Sequence, residues 1–284
     1  MTRIENLPQH NAQYGTQAYW DERYSNEAED ASFDWFQTID LVPLVQRFVP
    51  DTNAKICMLG CGNSRKSIVS TNDPDMNLKS NLSSLAFHRR AVLSANLYDK
   101  GYHSIVNLDY SPILIDKMEK MNSATRPEMT CKFFIRQDPI RFGPSVQNPC
   151  PDLRELIRTL RAGARLASLT GQTADVRALP FADESFDVCI DKGTMDAMMT
   201  SIRDPWNPPD QVIKDCNDEI DQVVRVLSKP NGVFLYLTWG QPHFRKQYLL
   251  REGWQLETVE LGDGFCYYLY VLRRKDRDDR TKAP

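Results

Sequence analysis

The stretch KICMLGCGNS, residues 55–64, decides the fold of this chain, because a short apolar run leads directly into two glycines. Such a run predicts a buried β-strand. Gly60 and Gly62 would let the backbone pass close to a nucleotide-like ligand, since glycine has no Cβ to collide with it. Arg65 stands where a pyrophosphate-binding loop has its third glycine. The stretch therefore disfavours a dinucleotide-dependent oxidoreductase, and leaves open either a ligand without a pyrophosphate or a glycine turn that binds nothing.

Strands and helices alternate on both sides of this stretch. A helix is predicted after Ser111, which suits an N-cap, with Pro112 at the first helical position. A second, strongly periodic helix is predicted over 211–228. Strands are predicted at 55–59, 103–108, 185–190, 233–238, 254–261 and 265–272, the last two forming a hairpin. This order predicts an α/β fold: a mostly parallel sheet with one antiparallel C-terminal strand and helices on both faces.

Composition excludes several other classes of protein. The chain has 284 residues, of which 41% are hydrophobic and 26% charged, with a net charge of −3. One globular domain fits this length, and the charge gives no basic face for direct nucleic-acid binding. No apolar stretch approaches the roughly 20 residues that span a bilayer. Seven scattered cysteines without CxxC spacing predict no metal site and a reducing compartment. We expect a cytoplasmic monomer without membrane or nucleic-acid partners.

Acidic residues follow several of the predicted strands. Asp109 could accept hydrogen bonds from ribose hydroxyls, or could merely cap the next turn, and Tyr110 offers a face on which adenine could stack. Asp175, in TADVRALPF, could accept from an adenine amino group. Ligands bind at the carboxyl edge of open α/β sheets. The stretch SFDVCIDKGTMDAM brings three more charged side chains to that edge: Asp191, Lys192 and Asp196.

The order of these motifs resembles that of the seven-strand S-adenosylmethionine-dependent methyltransferases. The resemblance implies a Rossmann-like sheet of seven strands. A closer resemblance, to the elongation factor 1-alpha lysine methyltransferases and their lysine methyltransferase 4 branch, spans about 19–273. The segments that carry it are YWDERY (19–24), FDWF (33–36), LGCGNS (59–64), DYS (109–111), DKGTMDAM (191–198), RDPW (203–206) and PHFR (242–245).

The resemblance implies a set of cofactor contacts, position by position. Aromatic residues of the N-terminal segment close over the cofactor, the glycine loop meets its methionine part, and acidic residues meet its ribose and adenine. The implied cofactor-binding residues are Trp20, Tyr24, Trp35, Gly60, Gly62, Asp109, Tyr110, Asp175, Val176 and Lys192. Without the resemblance, YWDERY would be interpreted as an amphipathic helix that packs Tyr19 or Trp20 into the core.

The resemblance implies a protein-lysine methyltransferase whose substrate is elongation factor 1-alpha and whose cofactor is S-adenosylmethionine. Asp191 and Asp196 are candidates to orient the acceptor amine or relay its proton. No Asn-Pro-Pro-aromatic tetrapeptide follows the fourth strand, which disfavours transfer to an amide or nucleobase nitrogen. Two alternatives remain at this point: a methyltransferase for a small molecule, and a catalytically silent scaffold that binds the cofactor.

The resemblance also predicts how the chain is organised. A methyltransferase domain is expected at 19–273, between a disordered arm at 1–18 and a polar tail at 274–284. Two segments, at about 65–90 and 133–172, exceed the family pattern. They are interpreted as surface insertions, ordered or poorly ordered, or as translated introns.

Overall fold

A seven-stranded β-sheet forms the centre of the computed structural model, which describes residues 7–27, 35–36, 39–63, 92–133, 175–228, 230–262 and 266–275. Its strands are β1 (Ile56–Leu59), β2 (Ile105–Asp109), β3 (Thr130–Phe133), β4 (Val188–Lys192), β5 (Val233–Thr238), β6 (Trp254–Leu261) and β7 (Tyr267–Arg274). They lie in the order β3-β2-β1-β4-β5-β7-β6, and only β7 runs antiparallel to its neighbours. The predicted fold class is confirmed.

Helices cover both faces of the sheet. They are α1 (Gln17–Asn26), α2 (Leu41–Phe48), α3 (Leu93–Tyr98), α4 (Pro112–Asn122), α5 (Thr194–Met198), α6 (Asp210–Val226) and α7 (Pro242–Leu249), with 3-10 helices at Asn11–Gly15 and Met199–Ser201. Side chains alternate between the faces, so that Ile56 and Met58 join one apolar core while Cys57 and Leu59 join the other. Within the described ranges, no helix is both long and apolar enough to cross a membrane.

A local sequence signal sets the start of α4, whereas a long-range contact sets the end of α6. At α4, the Ser111 hydroxyl accepts a hydrogen bond from the backbone N–H of Leu114 at 3.4 Å, and Pro112 is the first helical residue, as predicted. At α6, the helix ends at Val226, before the predicted end at 228. Leu227 instead pairs with Phe186 in a short parallel β-bridge, so a long-range contact overrides the local helical pattern.

The N-terminal arm was predicted to be disordered through residue 18, and for the described part of it this prediction is wrong. Asn11–Gly15 forms a 3-10 helix that packs against Met199–Ser201, and α1 begins at Gln17. The Tyr14 ring is buried, and its centroid lies 5.2 Å from that of Tyr19. Burial of this aromatic surface is favourable enough to order a polar segment.

The predicted extra segments, at about 65–90 and 133–172, lie outside the described residues apart from Phe133 at the end of β3. The polar tail is described only at 274–275. Their interpretation as insertions or translated introns stays a prediction.

The glycine loop after β1 adopts a conformation that favours glycine. Gly60 has a φ angle of +59° and Gly62 a φ angle of +57°, both in the left-handed region. A Cβ atom on Gly60 would lie 2.1 Å from the hydroxyl oxygen of Thr194, whereas a Cβ on Gly62 would meet only the Tyr24 hydroxyl oxygen, at 3.9 Å. The two glycines therefore share the same backbone cost of substitution and differ in the space around them.

We expect Gly60→Ala to destabilise the fold more than Gly62→Ala. Each substitution costs about 1–2 kcal/mol for a left-handed backbone, and the clash with Thr194 adds about 1–3 kcal/mol at Gly60 alone. Urea unfolding of both variants measures the difference directly. Equal losses of stability would show that the close approach of Thr194 imposes no constraint.

Candidate active site

A pocket of about 660 Å³ opens at the carboxyl edge of the sheet, where β1, β2 and β4 end side by side. Its volume lies within the usual range for small-molecule sites, about 300–1,000 Å³. All ten predicted cofactor-binding residues line it: Trp20, Tyr24, Trp35, Gly60, Gly62, Asp109, Tyr110, Asp175, Val176 and Lys192. The structure thus brings together residues that lie far apart in the sequence, while the contact assigned to each stays a prediction.

Aromatic side chains of the N-terminal segment form one wall of the pocket. The indole N–H of Trp20 donates to the backbone carbonyl of Tyr14 at 2.7 Å, and the Trp20 and Tyr24 ring centroids lie 5.6 Å apart. Trp35 meets Tyr14 edge to face at 4.8 Å. YWDERY is indeed helical, but it is Tyr24 that is deeply buried, and the same helix lines the pocket.

Polar contacts hold helix α1 against α4 and its N-cap residue Ser111. The Ser111 hydroxyl donates to Asp21 at 2.5 Å, and the Lys117 ammonium donates to the backbone carbonyl of Tyr24. These contacts hold Tyr24 above the glycine loop, where its hydroxyl faces Gly62. The aromatic wall is therefore part of the folded domain.

Asp109 lies at the end of β2. Its carboxylate accepts backbone hydrogen bonds from Gly62 at 3.2 Å and from Ser111 at 3.0 Å, so it caps the turn and also faces the pocket. Burial raises the pKa of Asp109 to about 6, although the backbone N–H donors oppose this rise. At neutral pH most of the population is ionised. A carboxylate has about four acceptor sites, enough to accept from ligand hydroxyls as well.

Lys192 brings a positive charge to the pocket from the last residue of β4. Its side chain is largely buried, and its ammonium nitrogen lies 5.7 Å from the centre of the Phe36 ring. Cation–π contact of this kind stabilises a desolvated ammonium. Gly193 follows with a φ angle of +81°, which turns the chain into α5.

Asp191 and Asp196, the candidates for proton relay, lie behind the pocket wall rather than on it. Asp191 accepts from the backbone N–H groups of Thr194 at 2.7 Å and Met195 at 2.9 Å, and so stabilises the start of α5. Asp196 forms a 2.7 Å ion pair with Arg245. These positions favour orientation through neighbouring residues over direct contact with a substrate.

Several pocket residues were missed by the sequence analysis. They lie on the 3-10 helix Asn11–Gly15, at the start of α1, in the turn after Asp175, on α5 and in the first turns of α6: Tyr14, Gln17, Arg177, Thr194, Gln211 and Asp215. Arg177 could have been found from its place beside Asp175, and Thr194 from its place in the DKGTMDAM motif. The others carry no motif, because only the packing of distant segments brings them to the pocket. Across the part of the chain that the structure covers, no cluster of His, Cys, Asp and Glu is placed to hold a metal ion.

Comparison with known proteins places the chain among methyltransferases. It is 27% identical over 272 residues to EEF1A lysine methyltransferase 4 of Mus musculus, covering 94% of this chain and 79% of that protein. The Bos taurus protein of the same name is 26% identical over 276 residues, covering 96% and 80%. The chain is a methyltransferase related to the eEF1A lysine methyltransferases.

This finding confirms the resemblance and the activity class that the motifs predict. Among solved structures, a SAM dependent methyltransferase from Aquifex aeolicus is similar, with a TM-score of 0.45 and 10% identity, covering 89% of this chain and 98% of that one. No family model matches the chain.

Behind this methyltransferase pocket, α6 carries a carboxyl group in an unusual environment. Glu219 is fully buried, and its side chain interacts with that of Asp191. Burial raises the pKa of Glu219 well above its ordinary value, and the nearby charges of Asp191 and Asp196 raise it further. A buried carboxylate beside other carboxylates is strongly unfavourable, so this environment favours the protonated form of Glu219.

We expect Glu219→Gln to change how stability depends on pH. Because the pKa of Glu219 is raised in the folded state, the wild type loses stability as pH rises above the ordinary value of a glutamate, by up to about 1.4 kcal/mol per pH unit. The neutral glutamine removes this slope. Thermal melting between pH 5 and pH 8 measures it, with the exposed Glu257→Gln as the matched control. Parallel curves for wild type and Glu219→Gln would contradict a protonated Glu219.

Proposed function

We propose that this methyltransferase transfers a methyl group from S-adenosylmethionine to a lysine side chain of elongation factor 1-alpha. One observation carries the proposal: every residue that the family motifs assign to the cofactor lines a single pocket at the carboxyl edge of the sheet. The names of the relatives support the choice of lysine and of elongation factor 1-alpha. We place this activity in the cytoplasm, in a monomer whose substrate is a protein rather than a nucleic acid or a membrane.

The described residues fit S-adenosylmethionine, whose sulfonium supplies an activated methyl group. A Cβ atom on Gly62 would project toward the pocket with only the Tyr24 hydroxyl oxygen within 4 Å, so any other residue there would fill ligand space. The Asp109 carboxylate suits ribose hydroxyls. Aromatic faces such as those of Trp20 and Trp35 stabilise a desolvated cation by about 0.5–2 kcal/mol each.

Methyl transfer requires the protein mainly to align donor and acceptor and to exclude water. The aromatic wall of Tyr14, Trp20, Tyr24 and Trp35 lines one side of the pocket, where it limits contact with water. The acceptor lysine must be deprotonated to attack, and a partly desolvated pocket lowers its pKa. The nearby positive charge of Lys192 lowers it further, because two ammonium groups repel each other.

Asp191 and Asp196 could affect deprotonation of the acceptor lysine indirectly, through the residues that they hold in place. Asp191 fixes the first turn of α5, from which Thr194 and Ala197 reach the pocket. The Oδ2 atom of Asp196 is buried and makes no hydrogen bond within the described ranges. We assign both residues to positioning α5, with the relay of a proton as the second possible role.

Cofactor affinity should depend on the charge of Asp109. We expect Asp109→Ala to weaken S-adenosylmethionine binding at least about tenfold, because each hydrogen bond to a charged acceptor contributes about 1.5–3 kcal/mol. In the wild type, affinity should fall as pH drops from 7 to 5, since protonation near pH 6 removes the carboxylate. Asp109→Asn should bind weakly without this pH dependence.

Calorimetry measures these affinities, and Asp116→Ala is the matched control. Asp116 lies exposed on α4, where it pairs with Lys120 away from the pocket. Its loss should leave both affinity and pH dependence as in the wild type. An unchanged affinity in Asp109→Ala would exclude the assigned ribose contact.

Transfer of label from S-adenosylmethionine tests the activity itself. We expect purified elongation factor 1-alpha to become labelled on a lysine by the wild type and by Asp116→Ala, and far less by Asp109→Ala. Peptide mass spectrometry identifies the modified residue. Label found only in small molecules from a cell extract would favour the small-molecule alternative. Cofactor binding without transfer to any acceptor would favour the scaffold.

A further inference from the structure

Arg177 links the two acidic residues at one end of the pocket. Its guanidinium Nε donates to Asp175 Oδ1 at 2.8 Å and its Nη2 donates to Oδ2 at 2.7 Å, a two-point contact. Its third nitrogen, Nη1, lies 2.9 Å from Asp215 Oδ1, in the second turn of α6. All three residues line the pocket. One planar group thus holds both carboxylates.

The turn at Asp175 is shaped by the same residue. The backbone N–H of Arg177 donates to Asp175 Oδ1 at 2.9 Å, and the Asp175 carbonyl accepts from the N–H of Ala178 at 2.9 Å. The Asp175 carboxylate therefore meets three donors from Arg177, counting its backbone. Its orientation at the pocket wall is set by where the Arg177 side chain lies.

Helix α6 supports Asp215, the carboxylate that pairs with Arg177. Its apolar face is buried in the core through Cys216, Ile220 and Val223, so Asp215 stands on a rigid support. Gln211, one turn earlier, donates to the same Asp215 oxygen at 2.9 Å and holds it in place. The side chains of Asp215 and Asp175 are only 17% and 21% exposed, so their hydrogen bonds to Arg177 are weakly screened by solvent.

We infer that Arg177 is a positioning residue that sets recognition of the cofactor's adenine amino group, by holding the Asp175 carboxylate against α6 through Asp215. The inference rests on the proposed function, in which Asp175 meets the adenine edge. A lysine could not replace Arg177, because a single ammonium cannot form the two-point contact with Asp175 while also reaching Asp215. Asp215 acts one step further away, through Arg177.

Calorimetric titration with two ligands tests this inference. The ligands are S-adenosylhomocysteine and its analogue with hypoxanthine in place of adenine, which lacks the amino group. We expect Arg177→Ala and Arg177→Lys to weaken binding of the adenine ligand about tenfold and to change binding of the analogue less than about twofold. Asp215→Asn should act in the same direction with a smaller effect.

Arg126→Ala is the matched control, because Arg126 makes the same two-point contact with Asp99, at 3.0 and 2.8 Å, away from the pocket. It should lower the melting temperature without changing either affinity. Equal losses for both ligands in the Arg177 variants, or no loss for either, would overturn the inference. A wild type that binds neither ligand would overturn the proposed function itself, and with it this inference.

Discussion

The close approach of the glycine turn after β1 to the first turn of α5 is the contact on which the pocket depends. The Thr194 hydroxyl donates to the carbonyl of Leu59 at 2.8 Å, directly before Gly60. Asp191 holds the same threonine through its backbone N–H. Since there is no room for a Cβ on Gly60, the ends of β1 and β4 are joined at a fixed distance. The floor of the pocket is built on that junction.

Three carboxyl groups lie buried behind this floor, and each is stabilised by a different physical means. Asp191 is stabilised by the backbone N–H groups at the start of α5. Asp196 is paired with Arg245 and also accepts from the hydroxyl of Thr238, at 2.7 Å. For Glu219, burial raises the pKa and so favours the neutral form. Buried acids at a functional site commonly serve to hold neighbouring groups in place, and here all three lie next to α5, whose first turn reaches the pocket.

The pocket itself separates its charges by region. Asp109 lies beside the glycine loop, Lys192 lies against Phe36, and Asp175 and Asp215 lie at the end held by Arg177. Such an arrangement suits a ligand with a hydroxyl-rich part, an anionic group near the Lys192 ammonium and a polar flat ring. The aromatic wall alone would not select the ligand, since aromatic faces attract any desolvated cation.

The sequence by itself determined the features that depend on near neighbours. Apolar runs gave six of the seven strands, Ser111 and Pro112 gave the start of α4, and Gly60 with Gly62 gave the turn, because hydrogen bonding and backbone sterics within a few residues decide these. The family motifs then identified ten residues that line one pocket.

Only the tertiary structure decided the rest. Leu227 pairs with Phe186 instead of continuing its helix. Tyr14 is buried although the N-terminal segment around it is polar. Arg177 forms an ion pair with Asp215 at one end of the pocket. Asp191 and Asp196 lie behind the pocket wall rather than on it. Each of these outcomes depends on which distant part of the chain a side chain contacts. Local sequence patterns do not predict such contacts, because burial and pairing are set by the packing of whole elements.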